Sequence, residues 1–346
     1  MTRGVTARHG RLLSILVPVA SHLATGGTVL TYHGVRRRTE PSSSTMHVAR
    51  DRFARTIRAV GAVATFVSLR ELVERHLSGK GTRGLVAVTF DDAYASVIED
   101  AWPVMQALAV PITLFVVTDA ARTGAPFWWD RVDELCARTD PHRWRSFEDE
   151  CGLPEAFRAG QPAAMGPLRP LRQWILATHR GRWPLALEEP LRRLEVESGY
   201  RPSQRPLRFD ELDAVMWSPL VDVGVHTVSH AVLPLLPDDE IRREMRAGLD
   251  ALRERYPRTF PVLAPPFGLY DPRTVSVAKE EGLTACLSLE ATGLDDGARS
   301  SMIPRFCMSA RHQPWKAVFY ALGWWGSGRL RSPGARRYPD LPSATT

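Results

Sequence analysis

Lysine is nearly absent from this sequence: Lys80, Lys279 and Lys316 are its only lysines among 346 residues. Arginine therefore carries the formal net charge of +7. An arginine-rich, basic chain suits nucleic acid, anionic lipid or an acidic glycan. No nucleic-acid-binding motif accompanies the charge, so nucleic acid is not an expected partner. Cysteine is scarce too, and Cys136, Cys151, Cys286 and Cys307 contain no pair at CxxC spacing. That excludes a zinc ribbon and a dithiol redox motif, and four cysteines in so long a chain do not make a disulfide framework. No apolar run approaches the ~18–20 residues of a membrane span, and there are no internal repeats. What remains, 44% hydrophobic and 24% charged, is the composition of a globular chain, long enough for one large α/β domain or two small ones.

The stretch that organises the chain is Leu85-Val86-Ala87-Val88-Thr89-Phe90-Asp91-Asp92. A Val-rich run apolar on both faces reads as a buried parallel strand. It ends at two adjacent carboxylates, where α/β folds bind their ligands. Neighbouring aspartates repel, and a metal ion offsets their charge while leaving one free as a base. Asp92 as a helix N-cap is the alternative reading. A second Val-rich strand, Val221–Val225, leads into His226-Thr227-Val228-Ser229-His230. Two histidines four apart share one face of a helical turn, and each can offer a ring nitrogen to a divalent metal. Alone the pair reads equally as two structural histidines. With the aspartates it composes a His/His/Asp triad plus one spare carboxylate, a set suited to metal-assisted hydrolysis.

Thr89-Phe90-Asp91-Asp92 resembles the first motif, T-F-D-D-G, of the polysaccharide deacetylase family, also called the NodB-homology or carbohydrate esterase family 4 domain; Ala93 replaces the glycine. His226-Thr227-Val228-Ser229-His230 resembles its second motif, H-[ST]-x-x-H. The resemblance implies a distorted (β/α)7 TIM-like barrel in which Asp92, His226 and His230 hold a divalent metal, most simply Zn²⁺, and Asp91 is the base. Tyr32-His33-Gly34-Val35 resembles a YHxV-type subgroup whose N-terminal histidine is the general acid, which would make His33 the acid. The alternative for His33 is a core-edge histidine bonded to a loop. Pro265-Pro266-Phe267-Gly268 resembles the third motif, a wall of the groove, so Pro266, Phe267 and Tyr270 are candidate substrate contacts. Ala264 stands where many members carry an arginine that orients the base. Arg305 is a further candidate substrate contact, with a surface arginine as the alternative.

Strands alternating with helices predict an α/β domain over residues 28–122 and 209–310, interrupted at 123–208 by an α-helical insertion. The insertion is read from apolar spacing such as Leu187, Leu191 and Leu194, and its aromatics suit either packing or sugar stacking. Pro103 should kink or split a helix over 95–109 that turns Val97, Ala101, Val104 and Leu108 inward. Ile241, Met245, Leu249 and Leu252 stripe a core helix capped by Asp238 or Asp239, and Ile303–Met308 reads as the last strand. Residues 1–27 read as an N-terminal helix rather than a weak signal peptide, and 311–346 as an aromatic amphipathic helix with a disordered tail. The terminal helices suit peripheral membrane contact, in a cytoplasmic protein at the inner membrane surface. The functional expectation is metal-dependent N-deacetylation of an N-acetylated glycan. A hydrolase of a small non-sugar amide and a non-catalytic glycan-binding protein are the alternatives.

Overall fold

The computed structural model describes residues 24–37, 44–154, 169–294 and 299–324. Its strands are β1 (Thr28–Tyr32), β2 (Val35–Arg36), β3 (Val48–Ala49), β4 (Thr65–Phe66), β5 (Leu85–Phe90), β6 (Ile112–Val116), β7 (Val221–Val225), β8 (Val262–Leu263), β9 (Ala285–Leu287), β10 (Met302–Ile303) and β11 (Phe306–Cys307). Nine of them form one parallel sheet in the order β10-β9-β8-β7-β6-β5-β1-β11, with β4 also on β5. Only Pro304 and Arg305 separate β10 from β11, yet these strands stand at opposite ends of that order. So short a link reaches at most roughly 11 Å, and the sheet must curl until its ends nearly meet. The expected α/β barrel is thus present as a curled parallel sheet. Ile303–Met308, read as one strand, is two: the first half pairs with β9 and the second with β1. Proline breaks the ladder between them, since it has no N–H to donate.

The strands are apolar on both faces because both are covered. Leu30, Val86, Val88 and Leu114 face outward into a large buried cluster shared with surrounding helices, whereas Val29, Ala87, Phe115 and Val262 belong to a second cluster. The helix Arg50–Gly61 buries Phe53, Ile57 and Val60, the stripe its spacing predicts. Ser68 caps the helix Leu69–Leu77 by accepting from the Glu71 N–H. Between β5 and β6 a π turn, Val97–Ala101, runs into the helix Trp102–Ala107, with Pro103 in its first turn. The added residue of the π turn rotates the buried face. Val97 and Ala101 stay inside and Trp102 and Met105 join them, but Leu108 is exposed. The helix Asp238–Arg255 follows Pro237 and has no side-chain cap, so neither Asp238 nor Asp239 plays that part.

Between β6 and β7 the chain is helical. Trp128–Arg138, Pro141–Glu150, Arg169–Thr178 and Glu188–Glu197 enclose a core of their own, with Trp128, Leu135, Trp144, Ile175 and Leu191 buried. The helix Pro314–Ala321 lies against Arg50–Gly61 and β1. It is fastened by Phe306 stacked on Tyr320 at 3.9 Å and by the Thr28 hydroxyl donating to the Tyr320 carbonyl. Its packing partner is therefore a barrel helix. Residues 1–23 and 325–346, which carry the predicted N-terminal helix and tail, lie outside the described residues. No described helix is long and apolar enough to cross a membrane.

Phe53 sits fully buried at the joint of helix and barrel, edge-on to Tyr32 at 5.1 Å and 5.8 Å from Phe90. Phe53→Ala should lower unfolding stability by about 3–5 kcal/mol through the cavity it leaves. A urea midpoint that falls with an unchanged slope would show it.

Candidate active site

Parallel register brings the chemistry together. Tyr32 pairs with Phe90, so the residues that follow, His33 and Asp91, leave adjacent strands side by side. β7 ends at Val225, opposite Val116 of β6, and delivers His226 to the same rim. There a cavity of about 110 Å³ is lined by His33, Asp91, Asp92, His226, His230, Trp129 and Phe267, among others. Asp91, Asp92, His226 and His230 are all buried.

The Nε2 atoms of His226 and His230 lie 3.3 and 3.2 Å from one oxygen, Asp92 Oδ1. That oxygen has no hydrogen-bond partner despite its burial. One ligand atom from each of the three residues lies within 4.8 Å of the others. Three lone-pair donors facing one point without hydrogen-bond alignment are what a cation requires. An Asp/His/His set suits a zinc-type ion that keeps positions open. His226 Nδ1–H donates to the Ala264 carbonyl at 2.6 Å, which fixes the tautomer and leaves Nε2 as the acceptor. The residues therefore fit a divalent metal. Asp92 is no helix cap: it has φ 66°, a left-handed value that turns its carboxylate towards the histidines. Nor are the histidines on a helical turn. They occupy a loop after β7 in which Thr227 and His230 have φ 65° and 58°. The Thr227 hydroxyl braces it by accepting from the His230 N–H. Burial pushes the Asp92 carboxyl up, but its contacts with both histidines outweigh this and hold it well below the usual range.

Asp91 is held from inside the barrel. Arg305 donates to both its oxygens, Nη1 to Oδ1 at 2.7 Å and Nη2 to Oδ2 at 2.9 Å. The same guanidinium reaches the Thr31 hydroxyl, the Thr89 hydroxyl and the Ser288 carbonyl, and lies over the Phe115 ring. Arg305 is 0% exposed, so it is neither the expected substrate contact nor a surface arginine: every approach from solvent is blocked. From the link between β10 and β11 it makes the contact to Asp91 that the resemblance leads one to expect of an arginine at position 264. Burial raises the Asp91 pKa, but Arg305, His226 and His33 together bring it below its ordinary value. His33 lies just beyond β1, with its Nδ1 unpartnered. Burial lowers its pKa, against a smaller upward pull from Asp92 and Asp91.

Of the third-motif residues, Phe267 is at the cavity, edge-on to the His230 ring at 4.5 Å. Pro266 is buried beneath it, and the Tyr270 hydroxyl is spent on Glu290 at 2.7 Å; neither lines the cavity. Sequence reasoning missed three groups. Trp129 lies over His230 at 4.5 Å and donates from its indole N–H to Tyr94. Tyr94 donates to Asp130, which also meets His47. Glu244 accepts the backbone N–H groups of Val228 and Ser229. The signals were a Trp-Trp-Asp opening the helical stretch and a glutamate inside an apolar helical stripe.

The family model described as polysaccharide deacetylase matches residues 208–286. Among solved structures, IcaB from Ammonifex degensii superposes with a TM-score of 0.56 at 19% identity, covering 86% of this chain and 98% of that one. A polysaccharide deacetylase from Bacillus cereus gives 0.54 at 13% identity over 86% and 68%. The deacetylase PplD of Streptococcus pyogenes, solved with acetate, gives 0.50 at 15% identity over 85% and 97%. The likeness shows a shared fold. No curated protein matches the sequence.

Removing Arg305 strands a buried carboxylate. Arg305→Met should cost about 3–5 kcal/mol at neutral pH. The sign with pH follows from Asp91. In the wild type its depressed pKa contributes stability above the ordinary carboxylate pKa, lost as pH falls through the folded value. Without Arg305 the burial that raises the pKa is opposed only by His226 and His33, so the ionised carboxylate is held less favourably in the fold. The deficit should be largest at neutral pH and shrink on acidification, read as unfolding free energy of both proteins across pH.

Proposed function

We propose that this chain is a member of the polysaccharide deacetylase family and a metal-dependent N-deacetylase that hydrolyses the acetamido group of an N-acetylated sugar in a glycan and releases acetate. The observation that carries the reading is the convergence of Asp92, His226 and His230 on one point, beside a second carboxylate clamped by Arg305. The family's hydrolase activity on non-peptide carbon–nitrogen bonds agrees with it, as does the acetate in the Streptococcus pyogenes deacetylase structure.

Asp92, His226 and His230 would hold the metal, most simply Zn²⁺. Such an ion supplies Lewis acidity to the amide carbonyl and to water. Asp91 takes the proton of the attacking water. Arg305 occupies one side of each carboxylate oxygen, which leaves lone pairs free towards the cavity and keeps the group ionised. His33 protonates the departing amine nitrogen, since an amine anion is too poor a leaving group to go unassisted. Trp129 and Phe267 close the sides of the cavity with aromatic rings, surfaces on which a sugar can rest. Peripheral membrane contact belongs to this reading as well, supported by the exposed Trp315 and Trp324.

Purified protein offered zinc should carry about one ion per chain and release acetate from N-acetylglucosamine oligomers. Asp92→Ala and His226→Ala should lose both properties, whereas Asp91→Asn should keep the metal and lose acetate release. Metal analysis and acetate assay on the same samples decide it; wild-type protein that takes up no zinc sinks the reading.

An acid must be protonated to act, and burial holds His33 below its ordinary pKa. Wild-type kcat/KM should therefore fall as pH rises through that lowered value. His33→Gln should reduce kcat by about 10²–10⁴-fold and remove that limb while zinc content stays the same. A pH–rate profile unchanged in this variant would assign the acid elsewhere.

A further inference from the structure

The loop that carries both histidines is strained. Thr227 and His230 are non-glycine residues at φ 65° and 58°, conformations that cost roughly 1–2 kcal/mol each. Such a loop holds its shape only if its surroundings dictate it. One side is secured by the barrel, where the Thr118 and Asp119 N–H groups donate to the Thr227 and Val228 carbonyls. On the other side the only carboxylate found bonding the loop's backbone, among the described residues, is that of Glu244. Its Oε2 accepts the Val228 and Ser229 N–H groups, each at 2.9 Å. Its Oε1 accepts the Ser229 hydroxyl at 2.6 Å. At 7% exposure the carboxylate has little water to turn to.

Glu244 is itself aimed by a residue from the helical stretch between β6 and β7. Arg182 donates from Nη2 to Glu244 at 2.8 Å, from Nε to the Ser229 hydroxyl at 3.2 Å and from Nη1 to Glu240 at 3.2 Å. The turn bearing Arg182 is in turn pinned. Gly181, at φ 78°, packs against Val232 and Phe267, and its carbonyl accepts from the Trp128 indole. The Val232 N–H donates to the Arg180 carbonyl at 2.8 Å. Neither Arg182 nor Glu244 lines the cavity. They touch the loop between the histidines rather than the histidines themselves, so they can act only through its shape.

We propose that Arg182 and Glu244 are positioning residues of the metal loop, through which the helical stretch between β6 and β7 sets the affinity of the site for its metal. The inference rests on the metal-dependent reading above. The helical stretch, with a core of its own, is thereby a brace for the site as well as a wall.

Zinc affinity measured by competition with a chromophoric chelator tests this on the full chain, for wild type, Glu244→Ala, Arg182→Met and Arg182→Lys. The visible spectrum of the cobalt-loaded proteins reports ligand geometry, and urea unfolding of the metal-free proteins reports stability. Glu244→Ala should weaken zinc binding by about 10–100-fold, the usual effect of losing an outer-shell partner. Arg182→Met should weaken it by about tenfold and alter the cobalt spectrum, a loss larger than any fall in the metal-free unfolding midpoint accounts for, since Glu244 keeps its bonds to Val228 and Ser229. Arg182→Lys, which keeps a donor for Glu244, should recover most of the loss. Zinc affinity and cobalt spectra equal to wild type in all three variants overturn the proposal and leave the metal reading standing. Losses that merely follow metal-free stability overturn it too. Wild-type protein that binds no zinc removes the metal reading itself.

Discussion

The ion pair between Arg305 and Asp91 is the constraint around which the barrel and its chemistry are arranged. A buried carboxylate and a buried guanidinium each cost several kcal/mol to remove from water, and the attraction between them offsets this only when the geometry is good and the remaining donors are satisfied. Here the pairing is bidentate, and the spare donors go to Thr31, Thr89 and Ser288. Those partners come from β1, β5 and the segment after β9, so one guanidinium ties together strands from both ends of the sheet order. Arg305 also belongs to the two-residue link that joins those ends. Closing the barrel and fixing the Asp91 carboxylate are one structural event. A sheet that failed to curl would leave both charges unpaired.

Strain is concentrated where that closure is used. Asp92, Ala93, Thr227, His230 and Phe267 all have positive φ without being glycine, and each lies at the cavity or in the loops that form it. An extended continuation of β5 would send Asp91 and Asp92 to opposite faces of the sheet. The left-handed turn at Asp92 instead leaves Asp91 turned inward to Arg305 and sets Asp92 against the histidines. Backbone strain of this kind persists only where packing and hydrogen bonding dictate it. The Thr227 hydroxyl, the Glu244 carboxylate and the aromatic rings of Trp129 and Phe267 provide that support around His230.

What could be read from the sequence was what is local. The Val-rich runs announce buried parallel strands, and Asp91-Asp92 and His226-x-x-x-His230 announce a metal-type donor set at strand ends. The alternation of strands and helices announces the α/β barrel. Each signal lies within a dozen residues. The partner of Asp91 lies 214 positions away, and nothing near Arg305 marks it as buried. Its flanks, Pro304 and Phe306, read as part of one strand because the turn from one edge of the sheet to the other has no signature beyond a proline. The histidine spacing was readable as a pair but not as a shape. Four-residue spacing suggests a helical turn, yet two left-handed residues bring the nitrogens together in a loop. Glu244 was hidden by its neighbours, since Ile241, Met245 and Leu249 make its helix look like core alone.

The topology also explains why the candidate acid stands near the start of the chain. β1 lies between β5 and β11 in the sheet, and its parallel register with β5 sets His33 level with Asp91. After the link at Pro304 and Arg305, β11 completes the circuit on the far side of β1 with Phe306 and Cys307, neither of them a proton carrier at neutral pH; burial pushes the Cys307 thiol up to about 12. The link into the strand that ends the barrel thus supplies the clamp on Asp91, and the strand that begins it leads into His33. The clamp on Asp91 and the candidate acid beside the same cavity come from neighbouring strands that the sequence places at opposite ends of the domain. Sequence order would separate them, and only the curling of the sheet brings them together.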